Sequence, residues 1–430
     1  MTGTSLYILT KLMLAYVIVS KITVIPLRPV LRMSYGPKRF NNSRHIFSWE
    51  TSLMSDVRQI TKDEAYDAVA PDDFPAMLNV DRYNTRSNAF DKIISATHDH
   101  FWDPLDKKYI DYSEPFDLEN EFIMPEEFSI ELGLPSFKNL THKQRVRFAN
   151  ESARWMLSSI LHGEQGALNL SSSLCHVLRD PGAQEYAANQ TREEARHVTG
   201  FTKYIQARWG KPLPVGQTLG DLLTDIVGAR EVYKKIVGMQ MLVEGLAMGA
   251  FATFYANARD PLLVKLMQLV MTDEAFHHKF GKIWADRTIP KLSQEEQNIV
   301  EDWAASCFQT LLFNLVNPEQ KQVLYKEFGI DWQTVTKEMI EAVSDDTRRE
   351  HMKEATNIFR VLIKTLLKAG IITDRTKAFY STYVDMDELK SEGDRMVGDD
   401  IAEDGIRYLQ KINFGANVDA LKNISINAAE

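Results

Sequence analysis

The stretches "TREEARHVTG" (191–200) and "TDEAFHHKFG" (272–281) decide how this 430-residue chain reads. Each sets two acids side by side, Glu193 with Glu194 and Asp273 with Glu274, and places a histidine three positions after the second acid. Residues three and four apart on a helix share a face, so Glu194 projects with His197 and Glu274 with His277. A lone Glu-x-x-His is a weak signal, since charged helices generate it by accident. Of the ten histidines in the chain, however, only His197 and His277 have a glutamate three positions earlier.

The surrounding pattern predicts long helices. "THKQRVRFANESARWMLSSILHGEQGALNLSSSLCHVL" (141–178) runs without proline to "RDPGA" (179–183), which reads as a turn. A second helix is expected from 183 to 209, stopped by "GKPLP" (210–214), and a third from 219 to 258. Asp260-Pro261 then restarts the chain as a fourth, to about 287. Glu164 stands thirty positions before Glu194, and Glu244 thirty before Glu274, with one predicted turn inside each interval. Thirty residues of straight helix would span about 45 Å, but folded at the turn the two ends of each interval meet at one height. Two such hairpins bring Glu164, Glu194, His197, Glu244, Glu274 and His277 into one interior.

Four carboxylates in a dry core are tolerable only if cations compensate them. Carboxylate oxygens with one imidazole nitrogen per ion suit iron or manganese better than zinc. The adjacent acids fit as orienting partners for the far nitrogens of the imidazoles. They are assigned crosswise, Glu193 to His277 and Asp273 to His197, with Arg196 neutralising one of them. His278, four residues after Glu274, reads as an orienting or surface residue, and His162 as structural.

The rest of the sequence bounds the answer. A hydrophobic content of 44% supports a sizeable core, and a net charge of −9 argues against nucleic acid as the main partner. Cys175 and Cys307 lie in no metal-binding or disulfide-framework spacing, which fits a reducing, cytoplasmic setting. Residues 1–47 are basic, and the apolar run "LMLAYVIVS" (12–20) is too short to span a membrane. That segment reads as a targeting sequence, a weak membrane anchor, or chain upstream of a start at Met33. Residues 48–140 predict short helices and loops over the core, 141–290 the bundle, and 291–430 a helical extension with breaks at 317–320 and 345–350. The tail after Gly370 reads as polar and less regular. The fold class is all-α: a four-helix bundle with additional N- and C-terminal helices.

On "EEARH" (193–197), "VEGLAMGAF" (243–251) and "DEAFHHKFG" (273–281), the chain resembles the ferritin-like non-haem di-iron carboxylate superfamily. That group includes ribonucleotide reductase small subunits, monooxygenase hydroxylases, acyl-carrier-protein desaturases and aldehyde-deformylating oxygenases. The resemblance covers roughly 141–287 and implies a ferritin-like bundle holding two iron ions, or a manganese and an iron, with catalytic Glu164, Glu194, Glu244 and Glu274. The position where reductase subunits carry a radical tyrosine is Phe201, with Tyr204 one turn further on. The positions where hydroxylases and desaturases carry a threonine are Ala247 and Met248. Both departures count against those subfamilies, and no subfamily is assigned. Gly245, Ala247, Gly249 and Ala250 leave room beside Glu244, and Leu168, Phe201, Ala247, Met248 and Phe251 are candidate walls of an apolar pocket. The same run also reads as ordinary core packing.

The functional expectation is an O2-dependent oxidase or oxygenase acting on a small or acyl-type apolar organic substrate. Electrons would come from a separate reductase or ferredoxin, because no flavin- or nicotinamide-binding fingerprint occurs. A homodimer is compatible with this reading. An iron-storing or iron-oxidising protein and a non-catalytic metal-binding protein are the alternatives.

Overall fold

The computed structural model describes residues 65–342 and 358–415, apart from 394 and 397. The basic segment 1–47, residues 48–64, the break expected at 345–350 and the end of the chain after 415 lie outside the described residues. Among the described residues the fold is all-helical, and the one β-type pairing is an isolated antiparallel bridge between Ala68 and Leu178.

Helices of eight residues or more are numbered here. After α1 (Asp91–Asp99) come α2 (His142–Val177), α3 (Pro181–Trp209), α4 (Gln217–Gly228), α5 (Val232–Asn257) and α6 (Pro261–Thr288). The C-terminal part adds α7 (Gln294–Val316), α8 (Trp332–Ala342), α9 (Ile358–Lys368) and α10 (Asp399–Phe414). α2 packs against α3 and α5 against α6, and the pairs join through the contact of α3 with α6.

The helix starts follow from local chemistry. Thr141 and Gln144 form a reciprocal capping box at the head of α2. α3 and α6 both start at an Asp-Pro pair. Asp180 accepts from the Gly182 amide at 2.7 Å and Asp260 from the Leu262 amide at 3.0 Å, while the prolines fill a position whose amide would have no partner. The last three residues of the turn expected at 179–183 therefore already belong to α3, which starts two residues earlier than the sequence pattern suggested. Each capping aspartate stands fourteen positions ahead of a motif glutamate, about 21 Å along the axis, so both motif helices present their ligands in the same phase.

The predicted third helix, 219–258, is two helices. The chain turns extended at Ala229 and Glu231, and α4 folds back so that Ile226 lies against Gly238, where a Cβ would come within 2.9 Å of the isoleucine. In a straight helix those two positions would be about 18 Å apart. Gly228 ends α4 cheaply because glycine has little preference for helix, and burial of Ile226 against α5 outweighs helical continuity. Residues Ile236–Val243 of α5 are wound as a π-helix, which re-phases the helix just ahead of Glu244. α5 is long and apolar enough to cross a membrane, but 72% of its apolar window is buried inside the fold.

Residues 65–140 form short helices and loops. Asn150 on α2 pins them, accepting from the Ile123 amide at 2.9 Å and donating to the Leu118 and Glu121 carbonyls at 2.9 and 2.8 Å. The tail after Gly370 is more regular than expected, since Asp374–Tyr380, Met386–Ser391 and α10 are all helical. Ala402, Ile406 and Leu409 are buried at helical spacing along α10, and one main core cluster draws on residues 65–96, α2 to α7 and the segments after 358.

α10 docks on α6 through Gly405. A Cβ there would lie 2.3 Å from Thr272 Cγ2 and 3.2 Å from the Gln268 carbonyl oxygen, leaving no room for a larger residue. Gly405→Val is expected to cost about 1–3 kcal/mol through overpacking and to lift α10 from α6. Hydrogen exchange should show faster exchange across 399–414 while α2 and α3 stay protected.

Candidate metal centre

All six candidate ligands meet where α2, α3, α5 and α6 face one another. Glu164 comes from α2, Glu194 and His197 from α3, Glu244 from α5, and Glu274 and His277 from α6. All are buried, with Glu164 at 5% and Glu244 at 3% exposure, and the two imidazole centroids lie 5.8 Å apart.

The distances sort the carboxylates into two kinds. His197 Nδ1 lies 3.3 Å from Glu164 Oε2, 3.4 Å from Glu194 Oε2 and 3.1 Å from Glu274 Oε1. His277 Nδ1 lies 3.4 Å from Glu244 Oε2, 3.1 Å from Glu194 Oε1 and 3.3 Å from Glu274 Oε2. Glu194 and Glu274 thus turn one oxygen to each histidine, whereas Glu164 and Glu244 each serve one side. Two overlapping groups result, Glu164–Glu194–His197–Glu274 and Glu194–Glu244–Glu274–His277, each compact enough to hold a metal ion.

The acidic neighbours lie across the bundle from the histidines they contact. His197 Nε2 is 2.8 Å from Asp273 Oδ2, and His277 Nε2 is 2.9 Å from Glu193 Oε2. With Nε2–H donated outward to a carboxylate, the Nδ1 lone pair of each ring faces the four glutamates, the tautomer a metal ligand needs. Arg196 binds both oxygens of Asp273 and approaches Glu193 Oε1 at 3.7 Å. A third acidic group, His100–Glu193–Asp273, is equally compact, but this guanidinium already supplies its positive charge.

Several contributors carry no motif. Gln190 Nε2 donates to Glu194 Oε1 at 3.0 Å and to Glu244 Oε1 at 3.1 Å, and Gln240 Nε2 donates to Glu244 Oε1 at 3.3 Å. Each glutamine stands four residues before a candidate ligand on the same helical face, a spacing visible in the sequence once the ligands are known. Trp102 donates from Nε1 to Asp273 Oδ2 at 2.9 Å and stacks on His197, and no local pattern announces a contact across 171 residues.

The protonation pattern follows from burial and from the charges the cluster's members exert on one another. Burial pushes the Glu164 carboxyl up to about 8, and it pushes Glu244 well above the usual range, reinforced by the charges of Glu274 and Glu194. Burial acts the same way on Glu194 and Glu274, but the imidazoles, His277 foremost, outweigh it and hold both below the ordinary range. Burial opposes charging of the two imidazoles, yet their carboxylate partners raise both well above the ordinary value. Without a cation, protons on nitrogen balance the carboxylates. Glu194 Oε2, Glu244 Oε2, Glu274 Oε2 and His277 Nδ1 remain buried with no hydrogen-bond partner. Buried carboxylate oxygens converging with no hydrogen-bond partner fit a metal ion, which would displace the imidazole protons.

A cavity of about 230 Å³ opens between α5, α6 and α9, with Met241, Gly245, Met248 and Ala275 beside the glutamates and Lys279, Lys282, Lys364 and Lys368 further out. Of the five expected wall residues only Met248 lines it. Phe201 and Phe251 are fully buried and stack on each other at 5.8 Å in the core, Ala247 packs against that cluster, and Leu168 on α2 is half-buried. The reason is the phase of α5: positions 241, 245 and 248 share a face that α9 covers, while Phe251 points to α3. His278 lines this cavity, with Nε2 3.5 Å from Thr365 Oγ1. His162 Nε2 lies 2.9 Å from the Leu213 carbonyl oxygen, tying α2 to the segment after α3.

No protein-family model, curated protein or solved structure matches the chain.

Glu244→Ala removes a carboxylate from one group only, so equilibrium dialysis against manganese(II) should show fewer ions bound per chain while circular dichroism stays helical. Asp273→Asn frees the far nitrogen of His197 from its anionic partner and is expected to weaken manganese binding about 10–100-fold.

Proposed function

We propose that the chain is a ferritin-like, non-haem di-iron carboxylate enzyme that uses O2 to oxidise a small apolar organic substrate, with electrons from a separate donor protein. The observation that carries this reading is the placement of Glu194 and Glu274, each with one oxygen toward each imidazole. Two divalent cations in the overlapping groups would share both carboxylates and cancel the charge of the four glutamates. Oxygen ligands with one nitrogen per ion suit iron or manganese, and the glutamate from each of two helices with Glu-x-x-His from each of the other two is the ligand set of ferritin-like di-iron proteins. When bound, a reduced iron pair supplies the means to bind dioxygen and draw electrons from an organic substrate.

The protein's own part is to hold and shape the site. Glu164 and His197 would anchor one ion, Glu244 and His277 the other, and Glu193 and Asp273 would keep both Nδ1 lone pairs turned inward. Arg196 keeps Asp273 ionised so that it goes on accepting from His197. Gln190 holds Glu194 and Glu244 at a fixed separation by donating to both. The cavity between α5, α6 and α9 offers a substrate a route to the Glu244 side, past the apolar surfaces of Met241 and Ala275.

Anaerobic reconstitution with ferrous iron followed by exposure to O2 tests the proposal. Two irons per chain, O2 consumed only after reduction, and an organic molecule co-purifying with the protein are expected. Failure to retain iron would end the di-iron reading. Iron accumulating far beyond two per chain would replace it with storage.

A further inference from the structure

The cavity beside Glu244 is apolar at one end and cationic at the other. α6 lines it through Ala275, His278, Lys279, Lys282 and Asp286, an advance of about 16 Å along one helical face. α9 runs alongside. Gly245 on α5 faces Leu362, with 3.1 Å left for a Cβ, His278 meets Thr365, and Gly370 lies near Ile289. Depth in the cavity therefore increases from Lys368 and Asp286 toward Val361, Ala275 and Gly245, next to the metal ligands Glu244 and Glu274.

The lining carries four lysines against two aspartates, a local excess of positive charge in a chain whose net charge is −9. Lys282 lies 2.8 Å from Asp286, and Lys364 lies 3.2 Å from Glu392 and donates to the Arg395 carbonyl at 2.9 Å. With Glu392 counted, four lysines face three acids, so these partners hold the ammonium groups in place around the opening and leave a smaller excess of positive charge. Between the two ends sits His278, whose Nδ1 is buried without a hydrogen-bond partner.

We propose that this cavity binds a small monocarboxylate tail-first, its apolar body between Met241, Gly245 and Ala275 and its carboxylate among Lys282, Lys364 and Lys368. The proposal rests on the functional reading above and adds the substrate class to it. A carboxylate fits this rim better than a phosphate, because Asp286 and Asp399 would repel a dianion and no arginine is among the described residues that line the cavity. The volume of about 230 Å³ lies below the usual range for drug-sized ligands and sets the size at a short chain or a single ring.

Octanoate is the probe, with octanol and octyl phosphate as controls, titrated calorimetrically into the full-length protein both metal-free and iron-loaded. Octanoate is expected to bind at least about tenfold more tightly than octanol, the difference a charge-assisted contact confers, and more tightly than octyl phosphate. Lys282→Gln combined with Lys364→Gln should remove that preference and leave octanol binding unchanged. Because Lys364 also holds the Arg395 carbonyl, Lys282→Gln alone is measured beside it and should lower octanoate affinity in a protein of unchanged helicity. Val361→Phe, which fills the inner end, should weaken octanoate and octanol together. Equal binding of octanoate and octanol, no binding of either, tighter binding of octyl phosphate, or octanoate affinity unmoved in both lysine variants would each overturn the proposal. Octanoate binding without iron uptake would leave the carboxylate pocket standing and remove the di-iron reading. Iron uptake without octanoate binding would do the reverse.

Discussion

Negative charge concentrated in the middle of a helical bundle is the constraint around which this molecule is organised. Glu164, Glu194, Glu244 and Glu274 are all buried, with Glu193 and Asp273 immediately behind the histidines. An unpaired buried ion costs several kcal/mol even after relaxation. Arg196 answers for Asp273 and in part for Glu193, and the glutamines supply hydrogen bonds to Glu194 and Glu244. The remainder falls to protons on the imidazoles or to metal ions. Apolar residues of similar volume at these positions would be at least as stable.

The acidic doublets tie the two motif helices together. Glu193 is covalently beside Glu194 on α3 but orients His277 on α6, while Asp273 on α6 orients His197 on α3. Each motif is thus completed by its counterpart, and neither helix can turn about its axis without disturbing both imidazoles. The two halves of the centre differ in their surroundings. Trp102 stacks on His197 and bonds Asp273, closing the Glu164 side, whereas the Glu244 side borders the cavity between α5, α6 and α9.

How far the sequence could be read depended on the range of the interaction. The helices were legible because caps and proline positions act within one turn, and the six candidate ligands because period-3.6 spacing and equal thirty-residue intervals place them at one height. The break at 229–231 was not legible, since it depends on Ile226 packing against Gly238 on the helix that follows. The regularity of the tail was missed although Ala402, Ile406 and Leu409 carry the right spacing, because its polar composition obscured a short apolar stripe. The pocket walls were misplaced because the phase of α5 passes through a π-helical segment that no residue pattern marks.

By itself, the sequence determined that the chain is helical, that Asp260-Pro261 restarts it as a helix, and that six metal-competent side chains lie in phase. These are consequences of backbone chemistry within a few residues. Only the tertiary structure decided that Glu194 and Glu274 face both histidines while Glu164 and Glu244 face one each, that Trp102 seals one side, and that α9 roofs a lysine-rimmed cavity on the other. Those outcomes turn on side chains far apart in sequence competing for the same space, and spacing along one helix carries no information about what packs against it.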